Sequence, residues 1–324
     1  MAAAPLVLVD DATPAASLAA APCVLVIGNF DGVHRGHQAV LQEAVTEARA
    51  AGLCACALTF DPHPAQVIGG DAPPLLTSLE HRAELIGALG VDRVYVRHFD
   101  AGFAAWQPER FVRDLVVGAL LSRRVVVGEN FRFGAKRAGD LRLLRALGAE
   151  CGFEARVHAV ARDDVGAFSS TRARDAIAAG NVEEAARVLG RPHSIEGVVV
   201  QGDARGRSLG FPTANLDQIA EVTPANGIYA VRVELLPAAG TRPLAQGVTS
   251  IGVRPTIVEG PRRGWRTVET YLFDFKGDLY GSRLRLHFVS RLRPERKFDS
   301  LQELRAAIES DVVGARAALE QVRD

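Results

Sequence analysis

The hydrophobic and polar positions of the chain change their spacing at about residue 190. Before that point, short apolar runs alternate with longer segments whose apolar residues recur every three or four positions, as on one face of a helix. The apolar runs read VLVIG, LCACALTF, VDRVYVRHF, RRVVVGE and FEARVHAV. Strands that alternate with helices pair in parallel and are covered on both faces. We therefore predict a doubly wound α/β sheet, which binds ligands at the carboxyl ends of its strands.

The second part of the chain, from Ser194 to about Ser290, has short runs in which apolar and polar residues alternate. These runs read SIEGVVVQG, GIYAVRVELL, AQGVTSIGV, TVETYLFDF and RLRLHFVS, with Gly, Pro and Asn between them. Such spacing is typical of an antiparallel barrel or sandwich. A helix with one apolar stripe is expected to follow from Ser300.

These patterns divide the chain into three segments. We predict a flexible, alanine-rich tail at residues 1–20, an α/β domain at 21–189, and an antiparallel β domain with a C-terminal helix at 190–324.

The composition narrows the possible partners. Lys plus Arg and Asp plus Glu both number 38, which favours neither a nucleic-acid nor a membrane partner. The tail lacks the basic start of a secretory signal, and no apolar run reaches the roughly 18 residues of a membrane span. The four cysteines form no C-x-x-C pair, which fits a reduced, cytoplasmic compartment. Small-molecule substrates are expected, whereas monomer and homo-oligomer both stay open.

The turn after the first strand of the α/β domain, GNFDGVHRGH, holds two histidines where a helix begins. A helix N-terminus attracts phosphate through its free N–H groups, and Gly28, Gly32 and Gly36 allow a tight turn. His34 and His37 could instead form a metal pair, but the sequence nearby offers no further ligands. We therefore favour imidazole N–H groups that donate to phosphate oxygens.

A second helix start, SSTRARDAI, carries hydroxyl groups and an arginine. Ser169, Ser170 and Thr171 would place hydroxyls beside free backbone N–H groups. Arg174, one turn further, can offer two parallel donors to a phosphate. By itself, this segment could also be a plain helix cap.

In the β domain, two segments carry candidate chemistry. GDARGRSLGFPTANL is glycine-rich, and Thr213 and Asn215 point to the same side of an extended chain, where their neutral oxygens suit Mg²⁺. In TVETYLFDF, Glu269 interrupts an apolar strand, which is costly unless the carboxylate has a partner or a role. The simpler alternatives are that the glycine-rich segment is an ordinary surface loop and that Glu269 is a solvent-facing residue of an edge strand.

Six segments in this order resemble the bacterial bifunctional riboflavin kinase/FAD synthetase family: GNFDGVHRGH, FDPHP, VVGENFRFG, SSTRARDAI, the GFPTAN-to-VET pair and LRPERKF. The resemblance implies a nucleotidyltransferase domain followed by a β-barrel kinase domain. It implies conversion of riboflavin to FMN and of FMN to FAD, with ATP as co-substrate, Mg²⁺ as cofactor and pyrophosphate as by-product. A single-activity adenylyltransferase and a flavin-binding regulatory protein with one inactive half are the alternatives.

The resemblance also assigns roles to individual residues. Those implied to act in catalysis are Glu269 as the kinase base, and His34, His37 and Arg174 in adenylyl transfer. Those implied to bind ATP in the first domain are Gly28, Phe30, Asp31, Gly32, Gly36, Ser169, Ser170 and Thr171. Those implied to lie near flavin or ATP are His63, Asn130 and Arg293. Those implied to bind ATP in the kinase are Gly202, Gly206, Arg207, Gly210, Thr213 and Asn215, the last two with Mg²⁺.

Two of these assignments have a structural alternative, and four positions depart from the family pattern. His63, between two prolines, could only shape its loop, and Arg293 could only anchor the last helix. The departures are Ala173, Ser250, Ile257 and Tyr271, where the family usually has an aliphatic residue, Asn, Phe and His.

Overall fold

The computed structural model describes residues 7–9, 21–202, 210–237, 240–253 and 266–321, and it divides into two compact units. Unit 1 comprises Met1–Pro73 and Leu79–Ser169, and unit 2 comprises Pro74–Ser78 and Ser170–Asp324.

Unit 1 is built on a six-stranded sheet in which every pairing is parallel. Its strands are β1 (Val7–Val9), β2 (Cys23–Ile27), β3 (Cys54–Asp61), β4 (Arg93–His98), β5 (Ser122–Gly128) and β6 (Glu154–His158). Their order is β1-β4-β3-β2-β5-β6, so β2 lies at the centre, where the strand order reverses. The doubly wound parallel sheet is confirmed.

Helices cover both faces of this sheet. They are α1 (Arg35–Ala51), α2 (Pro64–Val67), α3 (Leu79–Ala88), α4 (Ala101–Ala104), α5 (Pro108–Arg110) with a π-helical continuation (Phe111–Ala119), and α6 (Leu141–Cys151). Alternate residues of β2 enter different cores: Leu25 packs with the π-helix and α6, and Val26 packs with α1 and α3. A continuous apolar run therefore marks a strand that is buried on both faces.

The predicted tail contains one element that the sequence did not reveal. Val7–Val9 form β1, which extends the sheet by pairing in parallel with Arg93–Tyr95 of β4. Three apolar residues are too short a run to stand out from an alanine-rich segment. The remaining residues of 1–20 lie outside the described parts of the chain.

Unit 2 is a closed, six-stranded antiparallel barrel. Its strands are β7 (His193–Val200), β8 (Thr213–Asp217), β9 (Gly227–Leu235), β10 (Arg242–Val253), β11 (Arg266–Leu272) and β12 (Arg283–Arg293), in the order β10-β11-β8-β7-β12-β9. One apolar cluster fills the barrel. A second cluster joins its outer face to the C-terminal helix α9 (Leu301–Gln321). The predicted barrel and C-terminal helix are confirmed.

Two helices that precede the barrel in the chain also belong to unit 2: α7 (Ser170–Ala178) and α8 (Val182–Leu189). The Pro74–Ser78 segment also belongs to this unit, because the carbonyl of Leu75 accepts from Val222 N at 2.7 Å. The compact units thus separate at Ser169, whereas the sequence placed the domain boundary at residues 189–190. In the described part of the chain, no helix is both long and apolar enough to cross a membrane.

Candidate active sites

The turn between β2 and α1 has an unusual backbone. Phe30, Gly32 and Val33 have positive φ angles of 51°, 81° and 40°. This conformation is strained for a bulky or β-branched residue. Phe30 and Val33 are each only 1% exposed, so packing holds them in place. We call residues 28–37 the signature loop; its strained backbone is a property common at ligand sites.

His34 caps helix α1 with its ring. Its Nδ1 accepts from the backbone N–H groups of Gly36 and His37, at 3.1 and 3.3 Å. Because Nδ1 is an acceptor, the neutral ring carries its proton on Nε2. His34 therefore stabilises the helix start and presents a donor at its other nitrogen.

His37 lies between two rings and is neutral. It stacks on His34 with 3.6 Å between ring centroids, and it meets the Phe30 ring edge-on at 5.3 Å. Burial holds the pKa of His37 well below its usual range, and the neighbouring His34 and Arg82 lower this pKa further. Among the described residues, the buried His37 Nδ1 has no hydrogen-bond partner.

Glycines let the backbone close around these rings. A Cβ atom at Gly36 would lie 3.0 Å from Cε1 of His34 and 3.2 Å from the carbonyl oxygen of Phe168, and one at Gly28 would lie 3.1 Å from the Phe30 ring. Ser169 directly follows Phe168 in the chain and therefore lies near the signature loop.

His63 contacts the signature loop and also shapes its own. Its Nδ1 caps α2 by accepting from Ala65 N at 3.2 Å, and its Nε2 lies 3.0 Å from Asn29 Nδ2. The structural alternative for His63 is therefore realised, and a ligand contact stays a prediction.

Arg82 of α3 was missed by the sequence analysis. It is 5% exposed and donates from Nη1 to the Asn29 carbonyl at 3.1 Å, while its Nη2 lies 3.7 Å from Asp31 Oδ1. A signal was available, because Arg82 falls on the buried stripe of α3 beside Ala83 and Ile86. An arginine on such a stripe needs a partner.

The remaining predicted residues of the first site lie as follows. Asn130 is exposed on the turn that follows β5. Ser170, Thr171 and Arg174 lie on the first two turns of α7 in unit 2, where Arg174 Nε donates to the Pro74 carbonyl at 2.7 Å. The departure Ala173 is fully buried on this helix, as a packing position would be.

In unit 2, three of the predicted kinase residues share one face of the barrel: Glu269, Thr213 and Asn215. Glu269 of β11 pairs in register with Asn215 of β8, and Tyr271 pairs with Thr213. All four are half-buried, whereas the alternate residue Thr270 is fully buried. The predicted alternation of β11 is confirmed. Ser250 of β10 pairs with Glu269 from the other side.

The backbone at Gly202 lies against the Asn215 amide. A Cβ atom at Gly202 would come within 2.3 Å of Asn215 Nδ2, so only glycine fits there without moving that amide. Gly210 has φ 89° before the strand. Gly206, Arg207 and the departure Ile257 lie outside the described residues.

Tyr271 and one further residue, Arg293, pack against neighbours. Tyr271 meets Phe211 edge-on at 5.3 Å. Arg293 donates to both carboxylate oxygens of Asp311 in α9, at 2.8 and 2.7 Å, so it anchors the last helix. Arg293 also pairs with Ile228, the neighbour of Ser250, and a flavin contact stays a prediction.

No cluster of three His, Cys, Asp or Glu side chains within the described ranges could hold a metal ion. A metal site here would depend on neutral oxygens, such as those of Thr213 and Asn215, and on the substrate.

Comparison with known proteins identifies both halves. A family model described as FAD synthetase matches residues 17–172, and one described as riboflavin kinase matches residues 189–319. The chain is 42% identical over 295 residues to the bifunctional riboflavin kinase/FMN adenylyltransferase of Escherichia coli K12, covering 91% of this chain and 92% of the relative. It is 36% identical to the protein of that name from Bacillus subtilis, covering 90% of each.

A solved structure is also similar over nearly the whole chain. It is the crystal structure of a macrolide-efflux protein from Streptococcus pneumoniae, with a TM-score of 0.80 and 29% identity, covering 94% of this chain and 97% of that one. Both family models match, and the relatives are similar over about nine-tenths of the chain. The chain therefore belongs to the bifunctional riboflavin kinase/FMN adenylyltransferase family.

Proposed function

We infer that this chain phosphorylates riboflavin to FMN with ATP and then adenylylates FMN to FAD, releasing pyrophosphate. The observation that supports this inference is a difference between the two units in the groups that could act as a general base. The barrel pairs Glu269 with Asn215. In the signature loop, the lowered pKa of His37 makes its ring a weak base, and Nδ1 of His34 already accepts from the start of helix α1. An alcohol needs its proton removed during attack, but a phosphate does not.

In the kinase, Glu269 is proposed to accept the proton of the ribityl 5′-hydroxyl as that oxygen attacks the γ-phosphorus of ATP. The γ-phosphoryl group forms its new bond to the ribityl oxygen, and ADP leaves with the former bridging oxygen. Thr213 and Asn215 are proposed to bind ATP and Mg²⁺. Both residues lie on the same face of the barrel as Glu269, and the lack of a side chain at Gly202 leaves room for the Asn215 amide. These two observations support the assignment. Bound there, Mg²⁺ would offset negative charge on the transferred group.

In the adenylyltransferase, an FMN phosphate oxygen attacks the α-phosphorus of ATP while the bond to the β-phosphate bridging oxygen breaks. With a second phosphate pKa near ~6, the nucleophile is already an anion at neutral pH. His34 and His37 are therefore proposed to donate hydrogen bonds to the departing phosphates. The neutral state of His37 and the Nε2 proton of His34 support donation without a change of charge.

The other residue roles are proposals that rest on the family resemblance. Those proposed to help bind ATP in adenylyl transfer are Gly28, Phe30, Asp31, Gly32, Gly36, Ser169, Ser170, Thr171 and Arg174. Those proposed to lie near flavin are His63, Asn130 and Arg293. The functional domains are proposed at 21–189 and 190–324, with the SSTRAR segment serving the first. A cytoplasmic location and the lack of a nucleic-acid partner also stay predictions.

A product profile tests the function. The purified chain is incubated with riboflavin, ATP and Mg²⁺, and the flavins are separated by chromatography. We expect FMN first and then FAD, with one pyrophosphate per FAD and no product in the presence of EDTA. A single-activity adenylyltransferase would form FAD only from added FMN. A flavin-binding regulatory protein would bind riboflavin but release neither product.

A further inference from the structure

Arg82 is a buried cation that contacts Asn29 and Asp31 of the signature loop and Thr59 of β3. A buried charge is costly by several kcal/mol unless it is paired and hydrogen-bonded. Its neighbour Ala83 and nearby Ile86 are apolar, as expected for that stripe of α3. A leucine would serve packing alone, so the arginine calls for another explanation.

The contacts of Arg82 lie on both sides of the strained Phe30. The Asn29 carbonyl before Phe30 accepts two hydrogen bonds, from Arg82 Nη1 at 3.1 Å and from Thr59 Oγ1 at 2.9 Å. The Asp31 carboxylate after Phe30 lies 3.7 Å from Arg82 Nη2. These contacts fix the backbone at the point where the chain turns into its left-handed conformation.

Phe30 carries this constraint to the histidines. Its ring meets His37 edge-on, and His37 stacks on His34. A shift of the backbone at position 30 would therefore move both imidazoles. Because catalysis by alignment is sensitive to displacements near 1 Å, such a shift matters more for rate than for folding.

We propose that Arg82 is a positioning residue for adenylyl transfer, which holds Asn29 and Asp31 so that the signature loop presents His34 and His37 to the phosphates of ATP. This proposal rests on the proposed function of the loop. The charge of Arg82 also helps to keep His37 neutral, since it is one of the groups that lower the pKa of that ring.

The test uses the full chain and compares Arg82→Gln, Arg82→Lys and wild type in FMN-to-FAD conversion. We expect Arg82→Gln to lower kcat for FAD formation by about 10- to 100-fold, with a smaller change in the KM for ATP. Riboflavin-to-FMN conversion by the same preparation should be unchanged. Arg82→Lys should recover part of the rate because it keeps the charge and one donor. Arg113→Gln, which removes an exposed ion pair with Glu150 in the same unit, is the matched control and should behave as wild type.

A second readout separates positioning from general loss of structure. In Arg82→Gln, the NMR titration of His37 should shift to higher pH, because a neighbouring positive charge is gone.

Wild-type kcat and KM for FAD formation in Arg82→Gln would overturn the proposal. If Arg82→Gln does not fold, Thr59→Val decides, because the Thr59 hydroxyl accepts from Arg82 Nη1 at 3.4 Å and donates to the Asn29 carbonyl, and valine removes both contacts without changing the charge. We expect about a threefold to tenfold loss of kcat there, and an unchanged rate would overturn the proposal. If wild type itself forms no FAD, the proposed function fails before Arg82 is tested.

Discussion

Glu269 of β11 lies directly opposite Asn215 of β8 in the register of the barrel, with Ser250 of β10 on its other side. Directly paired residues of neighbouring strands point to the same face, with their Cβ atoms about 5 Å apart. The carboxylate therefore lies in a row of polar side chains from three strands. The row is on the outer side of the barrel, because Ile228, the other partner of Ser250, packs toward α9.

Replacing Glu269 by Gln should stop FMN formation while FMN-to-FAD conversion continues. The amide keeps the shape of the side chain but cannot accept the hydroxyl proton, and loss of a general base typically lowers kcat by about 10²- to 10⁴-fold. Both rates are measured on one preparation by chromatography of the flavins. Glu320→Gln, at the exposed end of α9, is the control and should leave both rates unchanged. Loss of both activities in a folded Glu269→Gln chain would contradict the division of labour.

Gly202→Ala should impair the kinase by displacing the Asn215 amide. The added methyl group would come within 2.3 Å of that amide nitrogen, and the side chain of Asn215 must then rotate away from the row. We expect an increase of about tenfold or more in the KM for ATP in FMN formation, from loss of one charge-assisted contact, and no change in FAD formation.

Gly314→Ala in α9 is the control, since the nearest neighbour of the added methyl group would be 3.9 Å away. It should keep both activities and stabilise the helix by up to about 1 kcal/mol. Unchanged ATP dependence in Gly202→Ala would argue against a role for Asn215.

The sequence predicted the parts of this arrangement that depend on local spacing. The alternation of β11 has a period of two, so it placed Glu269 and Tyr271 on one face and Thr270 on the other. The pairing of Glu269 with Asn215 depends on strand register, which no local pattern defines. Arg82 was missed for a related reason: its partners Asn29 and Asp31 come from a loop some 50 positions earlier in the chain. Likewise, β1 pairs with β4, which lies more than 80 residues later in the chain, so its three-residue run alone does not reveal a strand.

Replacing His34 should stop FAD formation while FMN formation continues, but the choice of substitution matters. The ring also caps α1, so His34→Ala is expected to reduce the stability of unit 1 by about 1 kcal/mol as well. Asparagine is a good cap but lacks the ring, so His34→Asn should restore stability without restoring FAD formation. Asp140→Ala is the control, because it removes the cap of α6, which accepts from Leu143 N at 2.9 Å, away from the signature loop. It should lower stability by a similar amount and keep both activities. Recovery of FAD formation in His34→Asn would mean that capping alone explains His34.

His37 makes the stability of unit 1 depend on pH in a defined direction. Its pKa is lowered in the folded chain, first by burial and then by His34 and Arg82. Below about pH 6.5, the usual pKa of histidine, the unfolded chain binds a proton here that the folded chain does not. The free energy of unfolding therefore falls as the pH decreases, by at most about 1.4 kcal/mol per pH unit for this one group. Above that pH both states are neutral at position 37, and His37 adds no pH dependence.

His37→Gln removes this contribution, so its unfolding free energy should fall less than that of wild type between pH 7.5 and 5.0. The measurement is urea unfolding followed by Trp106 fluorescence, in a chain where the other tryptophan, Trp265, is replaced by Phe. Trp106 lies in unit 1 and so reports the unfolding of that unit. The two chains should run parallel between pH 7 and 8 and diverge only in acid. Parallel curves throughout the acid range would mean that His37 accepts its proton as easily in the folded chain as in the unfolded one. In that case the imidazole would be cationic when ATP binds in mild acid, and neutral donation by His37 would be the wrong account of its role.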